Sequence, residues 1–152
     1  MSNAKTVHVI NGPNLNLLGA REPEIYGRET LDDIGARCRS IGADLGLEVV
    51  FLQSNYEGQL VDWIQEAVGR ADAIVINAAS YTHTSVAIHD ALRSFGGLKV
   101  ELHISNPHLR EPFRQISYVS SAADAIVAGL GADGYELVLR LISEVIQAPQ
   151  IG

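Results

Sequence analysis

Short apolar runs alternate with helical patterns along the whole chain, and this alternation limits the fold more than any other feature. Five runs have the β-branched or wholly apolar character of strands, at residues 6–10, 47–52, 73–76, 98–104 and 125–128. Strands separated by helices form parallel sheets through right-handed crossovers, with helices on both faces. We therefore predict an α/β fold, a flavodoxin-like three-layer αβα sandwich with a five-stranded parallel sheet in the order 2-1-3-4-5.

The predicted helices have their own start and stop signals. Thr30 is placed to cap a helix that ends at Gly46. Thr82 or Thr84 is expected to cap the helix after the third strand, and a closing helix is predicted over residues 134–147.

Length and composition indicate one packed domain. The chain has 152 residues, 47% of them hydrophobic, which suits a single core. Residues 1–4 are small, polar and without pattern, so we expect an expression remnant or a disordered start there. Residues 5–150 are predicted to form a single catalytic domain. Cys38, the only cysteine, is expected to be a buried filler.

Charge and hydropathy limit the kinds of partner that the chain is expected to bind. Eleven basic against 18 acidic residues give a net charge of −7, which argues against binding to nucleic acid or to an anionic membrane. No apolar run approaches the length of a membrane span, and no signal peptide is recognised, so a cytoplasmic protein is expected. A few arginines in a cleft still suffice to attract a small anion.

Polar residues follow each of the first four predicted strands. They lie at residues 11–14, 54–55, 77–80 and 101–106. Asn and Ser favour turns and helix caps in any protein, so each stretch alone has a structural explanation. Together they mark the carboxyl edge of the sheet, where open α/β sheets bind ligands at the switch point between strands 1 and 3.

Glu101 and His103 stand two residues apart on the fourth predicted strand, so their side chains leave the same face. A carboxylate beside an imidazole holds one tautomer of the ring and favours its protonated form, which suits a general acid near neutral pH. The alternative is a structural pair at the end of a sheet. His83 lies at the start of the predicted helix after the third strand, where free N–H groups bind anions.

The connection after the first predicted strand is about three times as long as usual, since most such connections have about two to six residues. We predict that its residues 18–29 form a lid that opens and shuts over the strand ends. Arg21 in this loop would favour the ionised form of Tyr26, and a phenolate so tuned takes a proton from carbon. The alternative is that both are ordinary surface side chains.

Several chemistries lack their sequence signals. The chain has no glycine-rich nucleotide loop, no zinc-binding H-E-x-x-H and no nucleophile elbow. We therefore expect no cofactor and no metal, and proton transfer on a small, anionic, hydroxyl-rich substrate. The alternative from another class is a non-catalytic flavodoxin-like module that binds a small anion. A receiver module is less favoured, because residues 11–14 offer no acidic cluster for a divalent ion.

Four motifs, in order along nearly the whole chain, resemble type II 3-dehydroquinate dehydratase. They read NGPNLNLLGAREPEIYG, SNYEG, INAASYTHTSVAIHDAL and ELHISNPHLREPFR. The resemblance implies reversible anti elimination of water from 3-dehydroquinate to give 3-dehydroshikimate through an enolate, in the shikimate pathway or in quinate breakdown. It also implies no metal, no organic cofactor and no Schiff-base lysine. A degenerate relative that only binds the ligand is the remaining alternative.

The matching positions imply a role for each catalytic residue. Tyr26 would remove the proton from C2, and Arg21 would stabilise the tyrosinate and the developing enolate. Asn14 would help to hold the enolate oxygen, and His103, oriented by Glu101, would protonate the departing C1 hydroxyl.

The same resemblance implies how the substrate is bound and how the chain assembles. The substrate-binding positions would be Asn77, His83, Asp90, Ile104, Ser105 and Arg114. Asp90 matches a residue that family members lend to a neighbouring subunit, which implies a homododecamer built as a tetramer of trimers. One departure stands beside the site: Ala-Ala-Ser at residues 78–80, where many relatives have Pro or Gly.

Overall fold

The five predicted strands form one parallel sheet in the order β2-β1-β3-β4-β5, as the sequence predicted. A computed structural model describes residues 4–20, 23–26 and 28–148 of the chain, without the side chains of residues 25 and 26. The strands are β1 (Lys5–Asn11), β2 (Leu47–Gln53), β3 (Ala73–Asn77), β4 (Leu98–His103) and β5 (Ala125–Ala128). The helices are α1 (Pro23–Tyr26), α2 (Leu31–Asp44), α3 (Glu57–Ala67), α4 (Val86–Arg93) and α5 (Asp133–Gln147).

The centre of the sheet is buried on both faces, which explains the apolar character of β3. In β3, Ala73 and Val75 pack in the layer that includes α2 and α5, whereas Ile74 and Ile76 pack in the layer that includes α3 and α4. All five residues of β3 are buried. Alternate side chains of one strand thus serve two hydrophobic layers, as expected for a parallel sheet covered by helices. Cys38 is buried in the first layer, as predicted, and burial raises the pKa of its thiol to about 12.

The helix caps agree with the sequence prediction at one helix and correct it at another. At the start of α2, Thr30 and Asp33 form a reciprocal capping box. The cap of α4 is neither Thr82 nor Thr84 but Ser85, whose Oγ accepts from the Ile88 N–H at 2.9 Å. The prediction was wrong because a 3₁₀ helix at Ala79–His83 comes between β3 and α4 and moves the helix start towards the C-terminus.

Gly12 allows the chain to leave β1 at the switch point of the sheet. Its N–H donates to the carbonyl of Asn77 at 2.7 Å, which brings the ends of β1 and β3 together. A Cβ atom at residue 12 would lie 2.4 Å from the carbonyl oxygen of Ala78. Because that oxygen belongs to the backbone, it has no rotamer by which to withdraw. Only glycine fits at this position.

We expect Gly12→Ala to lower the free energy of unfolding by about 3 kcal/mol, since it overpacks a site with no room to relax. Chemical denaturation at a fixed protein concentration measures the change. Gly58→Ala is the matched control, because Gly58 lies in α3 with nothing within 4 Å of the added Cβ. There alanine should add about 0.5–1 kcal/mol of stability. Equal effects at the two positions would contradict this account of Gly12.

Candidate active site

A cavity of about 140 Å³ opens at the carboxyl edge of the sheet, next to the ends of β1, β3 and β4. Cavities of this volume hold one six-membered ring. The edge is where the strand order reverses, since β1 lies between β2 and β3. The position and size of the cavity therefore suit a small cyclic ligand.

Most of the predicted site residues that the structure describes meet in this cavity. Its lining includes Asn14, Asn77, His83, His103, Ile104, Ser105 and Arg114. Glu101 lies behind His103 and is 1% exposed, so its role is to contact that ring and not the ligand. Asp90 does not line the cavity and is exposed on α4. Arg21 and the Tyr26 side chain lie outside the described residues.

Glu101 and His103 form the predicted pair at the end of β4. His103 Nε2 lies 2.5 Å from Glu101 Oε2. Since an ionised carboxylate only accepts, Nε2 carries a proton, and Nδ1 is the nitrogen left to serve a ligand. The ring lines the cavity although it is 9% exposed. The geometry suits a general acid that delivers its proton from Nδ1.

His83 is oriented by a different partner. Its Nδ1 lies 2.7 Å from the carbonyl oxygen of Ile116, so Nδ1 must be the donor and Nε2 is the nitrogen left for a ligand. The two cavity histidines thus present opposite ring nitrogens. His83 is placed to bind a hydroxyl or carboxylate with Nε2.

A buried tyrosine that the sequence prediction did not include connects the strand ends. The Tyr135 hydroxyl, from α5, donates to Asn11 Oδ1 at 2.7 Å and accepts from Asn77 Nδ2 at 3.0 Å. Asn77 Oδ1 in turn accepts from the Ala79 N–H at 3.2 Å. The side-chain amide of Asn77 is therefore held at both its nitrogen and its oxygen. These two contacts determine which of the two atoms is the nitrogen and which is the oxygen. No local sequence signal predicts a partner 58 residues away.

Two residues beside the cavity adopt left-handed backbone conformations. Asn14 has φ 68°, which asparagine tolerates, and its N–H donates to Asn55 Oδ1 at 3.0 Å. Ala79 has φ 53°, which alanine rarely adopts. Both line the cavity. Strained backbone conformations of this kind cluster at functional sites.

Two arginines line the cavity although the whole chain is acidic. Arg110 and Arg114 both line the cavity, and both contact the carboxylate of Glu111, at 3.7 Å and 2.9 Å. Glu111 thus holds both guanidinium groups at the edge of the cavity. Arg110, whose Nη1 lies 3.4 Å from Ser105 Oγ, was missed by the sequence prediction. In the sequence, the only sign of its place beside Arg114 is that the two arginines are four residues apart.

The chain matches a known protein family over most of its length. The model of the family Dehydroquinase class II matches residues 5–143. The chain belongs to this family. The class II dehydroquinase fold and the resemblance stated above are both confirmed.

Relatives of this class II dehydroquinase match over most of their own length. The chain is 57% identical to the 3-dehydroquinate dehydratase of Bartonella henselae, over 90% of this chain and 92% of that protein. It is 55% identical to the 3-dehydroquinate dehydratase of Caulobacter sp. strain K31, over 95% and 98%. Among solved structures, the type II dehydroquinase of Propionibacterium acnes has a TM-score of 0.89 at 44% identity, covering 92% of this chain and 97% of that one.

Among the residues that the structure describes, there is no cluster of three or more His, Cys, Asp or Glu side chains that could hold a metal ion. No described helix is long and apolar enough to cross a membrane.

In this class II dehydroquinase, Tyr135→Phe should lower the free energy of unfolding by roughly 1–3 kcal/mol, since it leaves buried atoms of Asn11 and Asn77 without a partner. Thermal denaturation checks the loss. Tyr56→Phe is the control: that side chain is 77% exposed, and the change should stay within about 0.5 kcal/mol. If the two variants were equally stable, the Tyr135 hydroxyl would have no structural role.

Proposed function

We propose that the protein is a 3-dehydroquinate dehydratase, a hydro-lyase that removes water from 3-dehydroquinate to give 3-dehydroshikimate. The observation that carries the proposal is the Glu101–His103 pair, which presents one ring nitrogen to a cavity of suitable size. The names of the relatives, in a family that spans nearly the whole chain, support the same substrate. No observation favours the non-catalytic binding module.

The reaction divides into removal of a proton and departure of a hydroxyl. Tyr26 takes the proton from C2, and the electron pair of the broken C–H bond moves to the carbonyl oxygen at C3, which gives an enolate. The enolate then re-forms the carbonyl, and its electron pair makes the double bond between C1 and C2 as the C1–O bond breaks. His103 Nδ1 gives its proton to the departing oxygen, which leaves as water. Preorganised donors at the enolate oxygen are worth several kcal/mol in such reactions.

The base half of this mechanism rests on the resemblance. Tyr26 and Arg21 are proposed as the base and its activating cation, on a lid at residues 18–29 of a single domain at residues 5–150. Asn14 is proposed to hold the enolate oxygen, which its position in the cavity lining supports. The left-handed backbone of Asn14, tied to Asn55, keeps this residue at the cavity before any ligand arrives.

The binding half rests on the groups that line the cavity. Arg114 and the backbone amides of Ile104 and Ser105 are proposed to bind the substrate carboxylate. The Asn77 amide and His83 Nε2 are proposed to bind hydroxyl groups. Arg114 lines the cavity, and a guanidinium group binds a carboxylate through two parallel N–H donors, which supports an anionic substrate.

Proton exchange and dehydration should respond differently to His103→Ala. Because this variant keeps the base, it should still exchange the C2 proton with deuterated water while dehydration falls by roughly 10²–10⁴-fold. Mass spectrometry of the recovered substrate measures exchange, and ultraviolet absorbance of the conjugated enone product measures dehydration. Rapid dehydration in this variant would contradict the acid role.

Tyr26→Phe serves as the comparison variant in that experiment. It should lose both exchange and dehydration while still binding substrate, because the C2 proton has no acceptor. Near-normal turnover would show that the base is another residue. Activity of the unmodified protein that survives both a chelator and borohydride treatment with substrate would exclude metal and imine routes. A protein that binds the substrate without either reaction would be the non-catalytic relative.

The assembly proposed is a homododecamer, a tetramer of trimers, in which Asp90 of one chain completes a neighbouring site. Asp90 is exposed on α4 and does not line the cavity of its own chain, which supports this assignment. The cytoplasmic location stays a prediction that cell fractionation would test.

Asp90→Asn should raise KM by on the order of ten-fold, since a hydrogen bond to a charged group is lost at the shared site. Sedimentation velocity should show a dodecamer for the unmodified protein. A fully active monomer, or an unchanged KM in the variant, would rule out the shared site.

A further inference from the structure

The buried carboxylate of Glu101 has two partners that the proposed mechanism does not use. Ser117 Oγ donates to Oε2 at 2.9 Å, and Ser120 Oγ donates to Oε1. With His103 Nε2, three side-chain donors surround a carboxylate that is 1% exposed. Ionised carboxylates removed from water are stable only when such donors replace it.

The two serines are themselves held in place by the backbone. Ser117 Oγ accepts from the N–H groups of Val119 and Ser120 at 3.2 Å and 3.0 Å. With those two bonds accepted, the hydroxyl has its proton left for the carboxylate, so it acts as a directed donor. Ser120 is the first residue of a short 3₁₀ helix, Ser120–Ala122, and this helix holds the backbone of Ser120 in place.

The same segment also reaches the second histidine of the cavity. The Ile116 carbonyl accepts from His83 Nδ1, and the Tyr118 N–H donates to the carbonyl of Thr82 at 2.8 Å. Residues 116–120 therefore contact both elements that present a cavity histidine. We call residues 116–120 the clamp segment.

Among the described residues, the side chains that donate hydrogen bonds to the Glu101 carboxylate are His103, Ser117 and Ser120. In the sheet, Glu101 is in register with Ile76 of β3 and Ile126 of β5, and neither is charged. Among the described residues, His103 is the titratable group that contacts the carboxylate. Burial favours the neutral form, but the hydrogen bonds from His103, Ser120 and Ser117 outweigh it and hold the pKa of Glu101 below its usual value.

We propose that Ser117 and Ser120 are positioning residues for the general acid: their hydroxyls keep Glu101 ionised and in place, so that His103 presents Nδ1 to the departing hydroxyl. The inference rests on the proposed function. If Glu101 took up a proton, its hydrogen bond to Nε2 would lose the assistance of the negative charge, and the ring would be held less firmly in its orientation. The serines therefore act on water loss through Glu101, and do not act on the removal of the C2 proton.

The expected signature is a pH effect on dehydration alone. Removing one charge-assisted hydrogen bond from an ionised carboxylate raises its pKa, so Ser117→Ala and Ser120→Ala should each move the acid limb of kcat up by about one pH unit. Below that limb, kcat should fall by about ten-fold per unit, while KM and the C2 exchange rate stay near those of the unmodified protein. Ser120→Thr, which keeps a hydroxyl, should restore the original limb.

Ser121→Ala is the matched control, because Ser121 lies in the same 3₁₀ helix but is exposed and does not contact Glu101. Its pH profile should be unchanged. A loss of kcat that is equal at every pH in the serine variants, or a loss of exchange together with dehydration, would show a merely structural role and overturn the proposal. An unshifted acid limb would overturn it as well.

Carbon-13 NMR of the labelled Glu101 carboxyl group separates this proposal from the proposed function, since it needs no turnover. The carboxyl should titrate at higher pH in Ser117→Ala and Ser120→Ala than in the unmodified protein or in Ser121→Ala. If the unmodified protein neither exchanges nor dehydrates the substrate, the proposed function fails whatever the titration shows. If it does both and the carboxyl titrates alike in all variants, only the proposal for the serines fails.

Discussion

The hydroxyl of Tyr135 is the contact on which the geometry of the cavity depends. Parallel strands bring all their carboxyl ends to one edge, and the polar groups that follow them are buried where helices cover the sheet. Buried polar groups need partners. One tyrosine from α5 satisfies Asn11 at the end of β1 and Asn77 at the end of β3, and so joins two neighbouring strands at the switch point. The cavity opens beside this contact.

The histidines of the cavity show how one residue type is given two tasks. A carboxylate faces Nε2 of His103, and a backbone carbonyl faces Nδ1 of His83. Both partners only accept, so each decides which nitrogen keeps its proton. The carboxylate leaves Nδ1 of His103 for a ligand, and the carbonyl leaves Nε2 of His83 for one. The clamp segment supplies the carbonyl directly and supports the carboxylate through two hydroxyls.

Spacing along the chain was enough to predict some of the site. Glu101 and His103 were predicted as a pair because residues two apart on a strand share a face, and the structure confirms their contact. The capping box at Thr30 was visible for a similar local reason. The cap at Ser85 was not, because three residues within a few positions can all cap a helix, and the 3₁₀ helix between β3 and α4 chose among them. Tyr135 and Ser120 gave no signal, since their partners are brought close only by folding.

The sequence by itself determined the elements and the edge where ligands bind. Apolar periods of two and of 3.6 residues are local properties, and the alternation of strands and helices leaves few topologies for a parallel sheet. Only the tertiary structure decided which donors surround Glu101 and which nitrogen each histidine presents. The contacts of Ser117 and Ser120 with Glu101, and of Ile116 with His83, join residues 16 to 33 positions apart. Packing brings such partners together, and no local pattern in the chain records it.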